Sequence, residues 1–87
     1  MTDRVHETTL HFSYPTDRRA AVIEASLAQE VGEIDDDRSV TTIDRSENEL
    51  VLSIEAADLT ALRAAITTWV GLIEIAESVE AIADAGT

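Results

Sequence analysis

The stretch that decides the fold is ELVLSIEA (residues 49–56), AD (57–58) and LTALRAAITTWVGLIEIAESVEAIA (59–83). Over Glu49–Ala56 the residues alternate, with Leu50, Leu52, Ile54 and Ala56 on one side and Val51, Ser53 and Glu55 on the other, the pattern of a strand. From Leu59 the period lengthens to that of a helix, and Asp58 stands where an N-cap is wanted. No proline interrupts the segment and only Gly71 weakens it, so the predicted helix reaches about Ala83, roughly 39 Å. At about 100° per residue its apolar positions fall into two stripes. Leu59, Leu62, Ile66, Trp69, Val70 and Ile73 form one, which fades where Glu77 and Glu80 enter it. Ala61, Ala65, Thr68, Leu72, Ile75 and Val79 form the other, which continues to Ile82. Two apolar stripes need two partners, and a small sheet of the same chain supplies only one.

Working outward, Arg38–Asp44 is rich in β-branched residues and reads as a strand. Arg45–Asn48 is a polar turn that joins it to Glu49–Ala56 as a hairpin. Further upstream, Val5–Tyr14 alternates, with Leu10, Phe12 and Tyr14 facing one way and Glu7, Thr9, His11 and Ser13 the other. Pro15 stops that strand. Thr16 then caps a helix predicted over Asp17–Ala28, with Asp17 in its first turn. Ala20, Ile23 and Leu27 form its core stripe, and Ala21, Val22 and Ala25 a second surface of small residues. Gln29–Asp37, with Gly32 and Asp35-Asp36-Asp37, reads as a loop, and Asp84–Thr87 as a frayed tail.

The order strand, helix, strand, strand, helix predicts an α+β domain of βαββα type. Its three-stranded antiparallel sheet has the order 1-3-2, the most apolar strand in the centre, and both helices lie on one face. One domain spans residues 1–87, with an ordered core of about residues 5–83. The first strand lies at an edge with no proline or lysine to protect it, and an open edge is a pairing site. Edge-to-edge pairing of two copies through Glu7, Thr9, His11 and Ser13 would make a six-stranded sheet.

Eighteen acidic residues oppose six basic ones, all six arginine, for a formal net charge of −12 in an 87-residue chain. Such a body repels itself at ordinary ionic strength, whereas at molar salt the Debye length falls to about 3 Å. Acid-rich and lysine-free, the composition resembles that of proteins from halophilic archaea. A mesophilic protein with a basic partner is the alternative. The absence of cysteine excludes disulfides, thiolate metal sites and a cysteine nucleophile. No signal-like stretch follows Met1, and nowhere do about 18 apolar residues run without a charge, so a soluble, cytoplasmic protein with no membrane contact is expected.

The sequence offers no catalytic set of nucleophile, acid and base, no cofactor site and no metal site. His6 and His11, five apart on a strand, face opposite ways. Asp35–Asp37 lacks the spaced ligands and glycine of a calcium loop, and the isolated glycines form no phosphate-binding loop. Six scattered arginines make no basic stripe for nucleic acid, and Trp69 reads as core. Arg63, one step beside the core stripe, has two readings: an ion pair within the chain, or an anchor for a partner's carboxylate.

Three segments together resemble a known family. His6 and Leu10-His11-Phe12-Ser13-Tyr14 lead into a helix ending Ala25-Ser26-Leu27, followed by Glu30; Arg38 opens the second strand; and Ala56-Ala57-Asp58-Leu59-Thr60-Ala61-Leu62-Arg63-Ala64 is the most specific piece. Over nearly its whole length the chain resembles the Pcc-type small subunit of the archaeal KEOPS complex, departing from the usual pattern at Gln29 and Thr67. The resemblance implies a non-catalytic subunit that forms homodimers. It also implies binding to the sugar-kinase-like catalytic subunit that makes threonylcarbamoyladenosine in transfer RNA, and through it an indirect link to the KEOPS kinase subunit and the transfer RNA. Family helices pack on helices of the enzyme subunit, which assigns Ala21, Val22, Ala25, Ala61, Arg63, Ala65, Thr68, Leu72 and Ile75 to that interface. Rival readings are a ferredoxin-like regulatory ligand-binding module, which requires a fourth strand, and a stand-alone RNA-binding protein.

Overall fold

The computed structural model describes residues 6–32 and 38–85, with side chains as far as Ile82. Strand β1 (His6–Ser13) leads into helix α1 (Asp17–Ala28), then come strands β2 (Ser39–Ser46) and β3 (Glu49–Ala56), and helix α2 (Leu59–Ala85) closes the chain. All neighbours in the sheet are antiparallel and the order is β1-β3-β2. The βαββα reading and the central place of β3 both hold. The helix outlasts its predicted end, for Asp84 and Ala85 are still helical. The acidic run Asp35–Asp37, with most of its loop, and Val5 lie outside the described residues.

Local chemistry sets the boundaries. Thr16 has extended backbone, and its hydroxyl accepts from the Arg19 N–H at 3.1 Å, capping α1 as its sequence position predicts. β2 runs two residues beyond its predicted end, because Arg45 pairs with Leu50 and Ser46 with Glu49. The polar turn therefore shrinks to Glu47 and Asn48, with Glu47 at φ +56° in the left-handed region that tight hairpins use. Asn48 also clasps the end of β1: the Tyr14 N–H donates to its carbonyl at 2.9 Å, and its side-chain amide donates to the Tyr14 carbonyl at 2.7 Å.

The core sits between β3 and the two helices. Leu50, Leu52, Ile54 and Ala56 of β3 meet Ala20, Ile23 and Leu27 of α1 and Trp69, Ile73 and Ala76 of α2. Leu10, Phe12 and Ile43, on the flanking strands, pack against it half-buried. The buried line of α2 differs from the predicted one. Ala61 and Ala65, read above as partner-facing, are only 8% and 5% exposed, whereas Leu59, read as core, is 55% exposed. Leu62, Ile66 and Val70 are half-buried. The helix is thus rolled toward its small residues: alanine at 61, 65 and 76 lets the backbone lie close to the layer beneath, and Trp69 fills the remaining depth.

Candidate functional site

Two polar ties hold α2, one at each end. At its start the Ala61 N–H donates to Asp58 Oδ1 at 2.8 Å, and the Arg38 guanidinium pairs with Asp58 Oδ2. The Arg38 bond first, and the Ala61 N–H second, hold the Asp58 carboxyl below its usual range. The Arg38 carbonyl also accepts from the Ala57 N–H at 2.8 Å, so the segments carrying Arg38 and Ala56–Ala64 meet at one corner.

The second tie lies where α2 passes beyond the sheet. The Tyr14 hydroxyl donates to Glu77 Oε2 at 2.7 Å, and Arg19 Nε donates to Glu80 Oε1 at 3.1 Å. Burial first, and the bond to Glu77 second, raise the Tyr14 phenol above its ordinary value. Glu77 and Glu80 thus continue the inward stripe in polar form. Their partners lie more than sixty residues away, so neither tie shows as a local pattern.

With one side of α2 held in this way, its opposite side is open. Ile75 is 62%, Val79 61% and Ile82 72% exposed, and Ala64 and Thr68 of the preceding turns are exposed on the same side. Gly71 lies among them, and a methyl group added there would meet nothing within 4 Å. The face therefore runs from small (Ala64, Thr68, Gly71) to bulky (Ile75, Val79, Ile82) at helical spacing. Of the residues assigned to a partner, Thr68 and Ile75 lie on it. Leu72 is half-buried and packs against the core, and Ala61 and Ala65 belong to the core outright. On α1, Val22 and Ala25 are exposed and Ala21 is half-buried. Arg63 is exposed and forms no ion pair among the described residues. Ala64 and Gly71 were missed; their i, i+4, i+7 spacing with Thr68 was the available signal. By length and composition alone Leu59–Ile82 could cross a membrane, yet one side of it carries Trp69 and Ile73 into the core.

The edge of β1 is the second surface. Because Tyr14 and Asn48 form a hydrogen-bonded pair that continues the β1–β3 register, the alternation of an antiparallel ladder turns the backbone groups of Thr8, Leu10 and Phe12 toward β3. Those of Glu7, Thr9, His11 and Ser13 point away, to the open edge. The side chains of these four lie on the sheet face opposite the helices, and all four residues are exposed. His6 faces the helix side and His11 the other. His11 Nδ1 lies 3.2 Å from Glu49 Oε1, and Glu7 stands directly across from Glu55.

The family model described as "Transcription factor Pcc1" matches residues 7–80, from the second residue of β1 to Glu80 on α2. The chain belongs to the Pcc1 family. Pcc1 proteins are non-catalytic subunits of the KEOPS complex, which places this Pcc1 chain as an accessory subunit in transfer-RNA modification. Its fold also matches a solved structure described as "Crystal structure of binary complex Gon7-Pcc1", with a TM-score of 0.83 over 92% of this chain and 98% of that one. The two are 15% identical, so the likeness is one of fold. No curated protein sequence matches the chain.

Proposed function

We propose that this Pcc1 chain is the dimerisation and adaptor subunit of a KEOPS complex, holding the sugar-kinase-like catalytic subunit that makes threonylcarbamoyladenosine in transfer RNA. One observation carries the reading: Ile75, Val79 and Ile82 stand more than half exposed on a helix whose other side is committed to the core. Such a face suits the groove or helix pair of a larger protein. The docking face is Thr68 and Ile75, with Ala64, Gly71, Val79 and Ile82 added, while Leu72 packs inward against the core beside it. Val22 and Ala25 of α1 form a second contact, and Arg63 is free to reach a carboxylate. The KEOPS kinase subunit and the transfer RNA connect through the enzyme subunit. The chain works in the cytoplasm of a halophilic archaeon, without a membrane or cofactor of its own.

The tagged chain, purified from its native cells at high salt, should bring the sugar-kinase-like subunit with it. Recovery of the chain with RNA and no protein would replace the adaptor reading with the RNA-binding one. For the dimer, Thr9→Pro removes a donor that points to the open edge and leaves the β1–β3 ladder intact, so folded monomers are expected. An unchanged dimer in light scattering would move the contact off this edge.

A further inference from the structure

We infer that in the dimer β1 pairs with β1 of a second copy in the register that puts Thr9 on the two-fold axis and Glu7 opposite His11 of the second copy. This deepens the edge-to-edge reading proposed above and rests on it. The ladder restricts the choice. Among the described residues of β1, only Glu7, Thr9, His11 and Ser13 offer backbone groups to a new strand, so they must meet one another across the junction. A symmetric pairing then has its axis on a single residue. Overlap of the eight-residue strands is greatest when that residue is Thr9 or Leu10.

Charge separates these two registers. An axis on Leu10 sets Glu7 against Ser13 and Thr9 against His11, so the carboxylate gains no counter-group. An axis on Thr9 sets Glu7 against His11 twice by symmetry. Within one copy Glu7 already faces Glu55, an unfavourable like-charge pair on a chain of net charge −12. An imidazole on its other flank offsets that repulsion. His11, beside Glu49 within its own chain, then lies between two carboxylates. On the helix side the same register sets Thr8 against Leu10 and His6 against Phe12, adding cover to the half-buried Leu10 and Phe12. β2, the other edge, is less open: Ser39 and Thr41 are buried, and Arg45 is tied to Glu24 at 3.0 Å.

The chain has no cysteine, so Thr8→Cys, Thr9→Cys, Leu10→Cys and His11→Cys each introduce a single thiol. On the axis, residue 9 faces its own copy at a Cα separation of about 5.5 Å, within disulfide reach. Residues 8 and 10 are displaced from their copies by a further ~7 Å along the strand. Mild oxidation should convert most of the Thr9→Cys protein to covalent dimer and leave the other three largely unlinked. Efficient linking of Leu10→Cys or His11→Cys instead would overturn the register while the edge dimer stands. A dimer in light scattering that none of the four variants links would overturn both the register and the proposed edge.

Discussion

Glu47 holds φ +56° at the tip of the β2–β3 hairpin, a conformation that costs a side-chain-bearing residue of order 1 kcal/mol and glycine almost nothing. Glu47→Gly is therefore expected to raise the melting temperature by a few degrees, the gain limited by the added freedom of the unfolded chain. A lowered melting temperature would contradict the strain. Asp58 makes a prediction with a definite sign. Its folded pKa lies below the unfolded one, so the stability it gives is full above the ordinary aspartate range, near pH 4, and is lost as pH falls through the folded value. Thermal melts of wild type and Asp58→Asn should differ most near neutrality and converge in acid; a constant difference would show that the Arg38 bond carries no charge-dependent stability. Thr16 and Asp58 were legible as caps because capping depends on the next three residues. Glu47 was not, because the turn's length follows from a register set by cross-strand pairs, and no glycine marks it.

At the scale of elements the strand order and the inward residues of β3 and β1 were legible from period-two alternation, whereas the inward face and the end of β2, set by its pairing with β3, were not. Nor was the roll of α2. A helical wheel gives Ala61 and Leu59 nearly interchangeable claims to the core, and only the depth available beneath the helix decides for alanine. That roll reverses one expected outcome: Ala65→Glu places a carboxylate in the core and should unfold the chain, where a partner-facing Ala65 would tolerate it. Gly71 gives the complementary case. Gly71→Ala should stabilise the isolated chain by about 1 kcal/mol through helix propensity, because the new methyl meets open space. Gly71→Phe should leave the chain folded and block close approach of a partner helix. Denaturant titration followed by Trp69, the single and fully buried tryptophan, reads the first; co-elution with the enzyme subunit reads the second. Equal binding by Gly71→Phe and wild type would remove the small end of α2 from the docking face.

For the whole molecule, electrostatics sets the conditions of stability. A net charge of −12 on an 87-residue chain favours expansion, and screening offsets it. The melting temperature should climb steadily between about 0.1 and 1 M potassium chloride; a flat profile would mean that the carboxylates are balanced locally. At this scale the sequence could show that apolar surface was left over, because period and length are local quantities. It placed that surplus rightly at Ile75, Val79 and Ile82 and wrongly at Ala61 and Ala65; the Tyr14–Glu77 and Arg19–Glu80 ties that hold the far half of α2 were not legible, because they join residues distant in the chain.

The account stands on the exposed side of α2 being a docking face for the catalytic subunit, and the most direct measurement of it is affinity. Purified sugar-kinase-like subunit should be titrated with wild type and with Ile75→Glu/Val79→Glu, after circular dichroism has shown both to be folded. The account predicts that the double variant loses measurable binding while keeping its fold and its dimer. Wild-type affinity in that variant would contradict it.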